Sequence, residues 1–324
     1  MSDNPYGVKR FRRAFVHFIG GRVVQASARA ALILILVRVL DVGDYGVYML
    51  IVGLSEMMLE VVSFGLLPVA HRFLPQMVRE LPLNRLVRFV MSMIAMQTTV
   101  LIVVGFLIAN YWSAITPFFG FSAEQTEASK AAVLLLVLVP MFRFSVDLLE
   151  GHLEQGKAQI SRALMPTGRA IVVVSFIALG LGIDLHTVLW IDIWVTAFCL
   201  LLAWVLLVQS MFSLHNPDAD GQLPIKQMLE FGWYMAPVGL MGATGSPGAL
   251  RMVLASVLGV VEAGLFAFLQ SLQRLVGRYL PGTLLRGIIR PMLVDRFLKP
   301  GGIKVVEAGN ALLAKSNLLL VAAR

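Results

Sequence analysis

The sequence predicts an all-α, polytopic helical membrane protein: two pseudo-symmetric helical lobes around a central cavity, the second lobe incomplete. Three observations carry that expectation. The chain is 58% hydrophobic and only 14% charged, with a mean hydropathy of +0.81, whereas soluble domains are roughly a quarter charged. Its apolar residues fall in runs near the length of about 20 that a bilayer requires, separated by polar joints. A helical hairpin near the start also returns far downstream.

The hairpin is Ser27 to Leu50, SARAALILILVRVLDVGDYGVYML. An apolar run stops at the short polar turn from Arg38 to Asp44, and a second run begins at once. Its copy, LASVLGVVEAGLFAFLQ, occupies Leu254 to Gln270. A shift of 218 positions carries Leu40 to Leu258, Gly46 to Gly264 and Tyr48 to Phe266. Each half therefore opens with the same hairpin.

Taken in order, the spans are expected near 15–37, 46–69, 87–111, 129–150, 163–183, 187–209, 229–251 and 263–281, with a ninth starting near 306. The basic start (Lys9, Arg10, Arg12, Arg13) precedes an uncleaved first span, because Arg22 and Arg29 interrupt what would be a signal-peptide core. Lys and Arg collect on alternate joints: at Arg72, Arg79, Arg85 and Arg88, at Lys157 and Arg162, at Lys226, and from Arg286 to Lys304. The remaining joints hold Arg38, then Glu124 and Glu127, then Asp184. That asymmetry places the N-terminus in the cytoplasm of a multi-pass cell-membrane protein. It also accounts for the 27 basic against 19 acidic residues without nucleic acid as a partner. The hydrophilic stretch His215 to Pro224 is the natural link, giving an N-terminal six-helix lobe at 1–214, a loop at 215–227 and a partial C-terminal lobe at 228–324. Ending in a ninth span, the chain reads as a fragment or a truncated homologue.

Charges inside the spans need partners or water. Arg22, Gln25 and Arg29 share one face of the first span, since seven residues make about two helical turns. Glu56 and Glu60 share a face of the second. The same shift of 218 sends them to Arg274 and Arg278, which with Gln270 form a basic stripe. Arg143, Asp147 and Glu150 follow helical spacing on the fourth span. Two readings stand side by side. Arg22 and Arg29 either neutralise Glu56 and Glu60, or the basic stripes line a positive cavity suited to a phosphate-bearing ligand. Glu56, Glu60 and Asp147 are the ion-coupling candidates, for a proton or sodium. In the seventh span, FGWYMAPVGLMGATGSPGAL (Phe231 to Leu250), Pro237 and Pro247 with Gly239, Gly242, Gly245 and Gly248 predict a bending or broken helix. Cys199 is the lone cysteine, so no intrachain disulfide forms. Five scattered His give no metal-ligand spacing, and the sequence contains no nucleotide-binding glycine loop or catalytic triad. No cofactor is expected.

LVRVLDVGDYGVYML followed by VSFGLLPVAHRFLP resembles the N-terminal signature of the polysaccharide exporters and O-antigen flippases. These belong to the multidrug/oligosaccharidyl-lipid/polysaccharide superfamily, which also holds the multidrug and toxin extrusion transporters and the lipid II flippase. ASVLGVVEAGLFAF and RGIIRPML resemble the matching segment of its second half. The resemblance implies two six-helix lobes related by an axis along the membrane normal, around a cavity that opens alternately to each side. It implies a polyprenyl-diphosphate-linked oligosaccharide as cargo, an inner-membrane location and polysaccharide-assembly proteins as partners. Arg251 stands where such exporters often carry an acidic residue in helix seven. Three further readings are a drug/cation antiporter of the same superfamily, an integral-membrane glycosyltransferase or O-antigen polymerase, and an inactive truncated remnant. The basic surplus argues against cationic drugs. The longest outward joint, Tyr111 to Ser129, lacks the basic residues a transferase would need there.

Overall fold

A computed structural model describes residues 8–152, 154–214, 221 and 223–279. The ninth span, the RGIIRPML segment and most of the His215 to Pro224 loop lie outside the described residues. Within them the chain is all-α: α1 (Val8–Val39), α2 (Val42–Val62), α3 (Leu66–Glu80), α4 (Leu83–Ile115), α5 (Ala123–Ala128), α6 (Ala132–Gly151), α7 (Gln155–Ala178), α8 (Leu185–Leu214), α9 (Ile225–Thr244), α10 (Pro247–Leu258) and α11 (Val260–Tyr279). Among the described residues five helices are long and apolar enough to cross a membrane: α2, α4, α6, α7 and α8. The protein is a polytopic helical membrane protein.

The first span begins at Val8, seven residues earlier than expected, and three further elements depart from the expected boundaries. The second span ends at Val62, seven residues early, because Phe64 and Gly65 both take positive φ (41° and 80°) and turn the chain into α3. Only a glycine suits position 65: besides its φ, a Cβ there would overlap the Gly232 carbonyl. α3 is amphipathic, burying Phe73, Leu74, Met77 and Val78 while His71 and Arg72 stay exposed. The fifth span begins at Gln155 rather than 163, which brings Arg162 into a helix. The seventh is broken: Pro237 lies inside α9, the helix stops at Gly245, and Ser246 caps α10 with Pro247 as its first residue. Pro tolerates that first position because its missing N–H has no acceptor there. The joint after α4 contains a short 3-10 turn (Thr116–Phe119) and α5, closed by a capping box between Ser122 and Gln125.

Packing divides the chain into two compact units, Met1–Ala267 and Phe268–Arg324. In the first, α6 is central, packing on α2, α3, α4, α7 and α8, while α1 lies mainly along α7. Phe144, Leu135, Leu136, Leu148 and Leu149 fill its interior. α9 and α10 run antiparallel along α2, and glycines set the close approach: Gly232 beside Gly65, Gly248 against the Gly53 carbonyl, and Val260 against Gly46. At the far end the repeat meets itself. α2 starts at Val42 and α11 at Val260, the positions related by the shift of 218. A Cβ on Gly264 would lie 2.6 Å from Gly46 Cα and 3.7 Å from the Val42 carbonyl, while one on Gly46 would overlap the Val260 carbonyl. Each repeat contacts the other through equivalent residues, the pattern of an isologous, two-fold-like interface. At the opposite end Arg72 lies over the Phe231 ring at 4.4 Å, Phe73 meets Phe231 edge-on at 5.9 Å, and Gly221 N–H donates to the Glu80 carbonyl at 2.8 Å. These contacts fasten the start of α9 to α3.

A candidate transport site of intramembrane charges

The charged face of α6 holds the core of the site. Arg143, Asp147 and Glu150 recur at helical spacing and point towards α2 and α7. Arg143 Nη2 donates to Glu56 Oε1 at 2.7 Å. Arg162 on α7 grips two carboxylates at once, Asp147 Oδ1 at 2.6 Å and Glu150 Oε1. These side chains are between 16% and 33% exposed, so the stripe is partly accessible. Gln25 on α1 joins it by donating to the Arg162 carbonyl at 3.2 Å. The pairing of Glu56 with Arg143 adds a partner beyond the expected Arg22 and Arg29. Sequence spacing shows which residues share a face, but not which neighbouring helix supplies the counter-charge.

Arg29 is half-buried on α1, and Arg22 lies two turns earlier with its side chain outside the described residues. Glu60, exposed on the last turn of α2, has no ion-pair partner among the described residues; its carboxylate lies 3.9 Å from where a Gly242 Cβ would be. It thus faces α9 one turn before that helix breaks. Pro237 is exposed on α9, while Pro247 opens α10. Gln270 and Arg274 are half-buried on the part of α11 belonging to the second unit, and the Arg278 side chain lies outside the described residues.

A second cluster escaped the sequence reading. Asp192 on α8 is 2% exposed and meets two groups: Tyr48 OH donates to it at 3.0 Å, and Arg169 Nε pairs with it at 3.2 Å, while Arg169 Nη2 donates to Thr196 Oγ1 at 2.9 Å. Next to it Tyr45 is buried, and its hydroxyl has no partner among the described residues. Arg251 on α10 is buried too and donates to the Met49 carbonyl at 3.3 Å. The available signal was two lone charges, Arg169 and Asp192, in the apolar runs of adjacent spans. Among the described residues no cluster of His, Cys, Asp or Glu could hold a metal ion.

Models of known protein families, curated proteins and solved structures give no match to this chain.

Arg162 gives a direct test of the α6 stripe. Arg162→Gln leaves Asp147 and Glu150 without their cation and is expected to destabilise the fold by an amount near the low end of about 3–5 kcal/mol, because the groups are up to a third exposed. Membrane abundance and detergent melting temperature should both fall. Adding Asp147→Asn and Glu150→Gln should restore most of the loss.

Proposed function

We propose that this chain is a flippase that moves a polyprenyl-diphosphate-linked oligosaccharide across the cell membrane by alternating access. The carrying observation is the isologous crossing of Gly46 and Gly264, where two copies of one hairpin meet at equivalent residues. Two hairpins joined in this way can rock about a shared contact, the motion alternating access requires. The broken α9–α10 helix and the partly exposed Arg143–Glu56 pair both lie against α2, so a bendable element and an ion pair share one helix. The cargo follows from the resemblance. Arg22 and Arg29, with Gln25, supply donors for a diphosphate on the first unit, and Gln270, Arg274 and Arg278 form a basic stripe on the second. Among the coupling candidates Glu60 is favoured for a proton or sodium, since Glu56 and Asp147 already hold arginines. No covalent step and no cofactor are needed.

The test is complementation of a flippase-deficient strain, scoring glycan export alongside membrane abundance. Arg29→Lys should lower export several-fold at normal abundance, because a point charge replaces a fork that grips two oxygens. Glu60→Gln should abolish the dependence on the ion gradient. Unchanged export in both variants would overturn the assignment of these residues. The exposed Glu60 beside a broken helix also favours the drug/cation antiporter as a second reading. Glu60-dependent efflux of an organic cation, without glycan export, would select it.

A further inference from the structure

We propose that the groove between α7 and α8 holds one acyl chain of a zwitterionic aminophospholipid, with Asp184 at its mouth receiving the ammonium headgroup. The groove has a volume of about 670 Å³. It is lined by Gly168 and Val172 on α7 and by Trp190, Trp194, Phe198 and Cys199 on α8. Both helices are long and apolar enough to cross a membrane, so the groove opens onto hydrocarbon. Trp194 is 69% and Phe198 63% exposed, large apolar surfaces that a chain can cover. The lining turns polar only towards the start of α8, where His186 and Thr187 lie and Trp190 Nε1 donates to His186 Nε2 at 2.9 Å. Such amphipathic rings sit at the level of lipid headgroups.

The charge at the mouth decides which lipid fits. Asp184 caps α8 by accepting from Thr187 N–H at 2.8 Å and is exposed. Its hydrogen bonds to Thr187 hold its carboxyl below the usual aspartate range, so it is charged at neutral pH. No Lys or Arg occurs from Ala170 to Ile225, and Arg169, just before, is turned inward to Asp192. A negative mouth repels phosphatidylglycerol and diphosphate headgroups and attracts a primary ammonium. The inference is independent of the cargo proposed above.

Quenching by brominated lipids tests it, with the chain reconstituted in phosphatidylcholine bilayers. The Trp194 signal is the part of the fluorescence lost in Trp194→Phe. Brominated phosphatidylethanolamine should quench it with a relative binding constant about two- to fivefold above that of brominated phosphatidylglycerol, the size expected for one exposed charge pair. Asp184→Asn should remove the preference yet keep α8 capped, since Asn caps as well as Asp. Val172→Phe should fill the groove and lower quenching by every lipid, with the helix content unchanged. Equal quenching by the two lipids overturns the proposal. So does a preference that survives Asp184→Asn, or displacement of the brominated lipid by a polyprenyl diphosphate more readily than by phosphatidylethanolamine.

Discussion

Asp192→Leu should lower stability by about 3–5 kcal/mol, because it strands the Arg169 guanidinium among apolar side chains. The cost falls near the full range, since Asp192 is only 2% exposed and Arg169 11% exposed. Tyr48 and Thr196 cannot compensate: a phenol and a hydroxyl offer dipoles where a charge was neutralised. Removing both charges with Asp192→Leu and Arg169→Met should recover most of the loss, as an apolar pair of similar volume suits the site. Tyr48→Phe, which removes one donor to a charged acceptor, should cost less, about 1–3 kcal/mol. Melting temperatures of the three variants in one detergent give the comparison. A double variant no more stable than Asp192→Leu would show that the cluster does more than balance its own charges.

The second large effect lies at the crossing of the repeats. Gly46→Leu should destabilise the chain by about 1–3 kcal/mol or more, because the new Cβ meets the Val260 carbonyl, a backbone atom that cannot rotate away. Gly264→Ala meets Gly46 Cα at 2.6 Å and should behave alike. Both gain helix propensity, worth about 1 kcal/mol against glycine, so a net loss reports on the crossing alone. Gly156→Ala, with nothing within 4 Å of its Cβ, is the matched control and should be neutral or stabilising. The measurement is melting temperature in detergent, with the three variants side by side.

Much of this architecture was legible in the sequence, for identifiable reasons. Hydropathy located α2, α4, α6, α7 and α8 because a bilayer imposes length and apolarity on a span. Among the described residues, the first, seventh and eighth expected spans form helices that fall short of that measure. The shift of 218 placed the starts of α2 and α11 at equivalent positions, and Gly46 does meet Gly264. Glycine and proline density in the seventh span announced the break at Gly245. Other features depend on geometry that no local pattern encodes. The stop at Val62 follows from the left-handed turn at Phe64 and Gly65 against α9, inside an unbroken apolar run. Helical spacing aligned Arg143, Asp147 and Glu150, yet their partners Glu56 and Arg162 come from two other helices. Arg162 looked like a topogenic loop residue because α7 begins earlier than its apolar run. Arg169 and Asp192 were passed over as lone charges, and only packing shows that they neutralise each other.

Transbilayer movement of the cargo itself is the most direct measurement. The chain is reconstituted into liposomes with a fluorescent polyprenyl-diphosphate oligosaccharide, and the fraction of label reached by an external, membrane-impermeant reductant is followed over time. The account predicts that label in the inner leaflet becomes reducible faster than in protein-free liposomes, and that Arg29→Gln slows this at equal protein insertion. A rate equal to that of protein-free liposomes, with the chain folded and inserted, would contradict it.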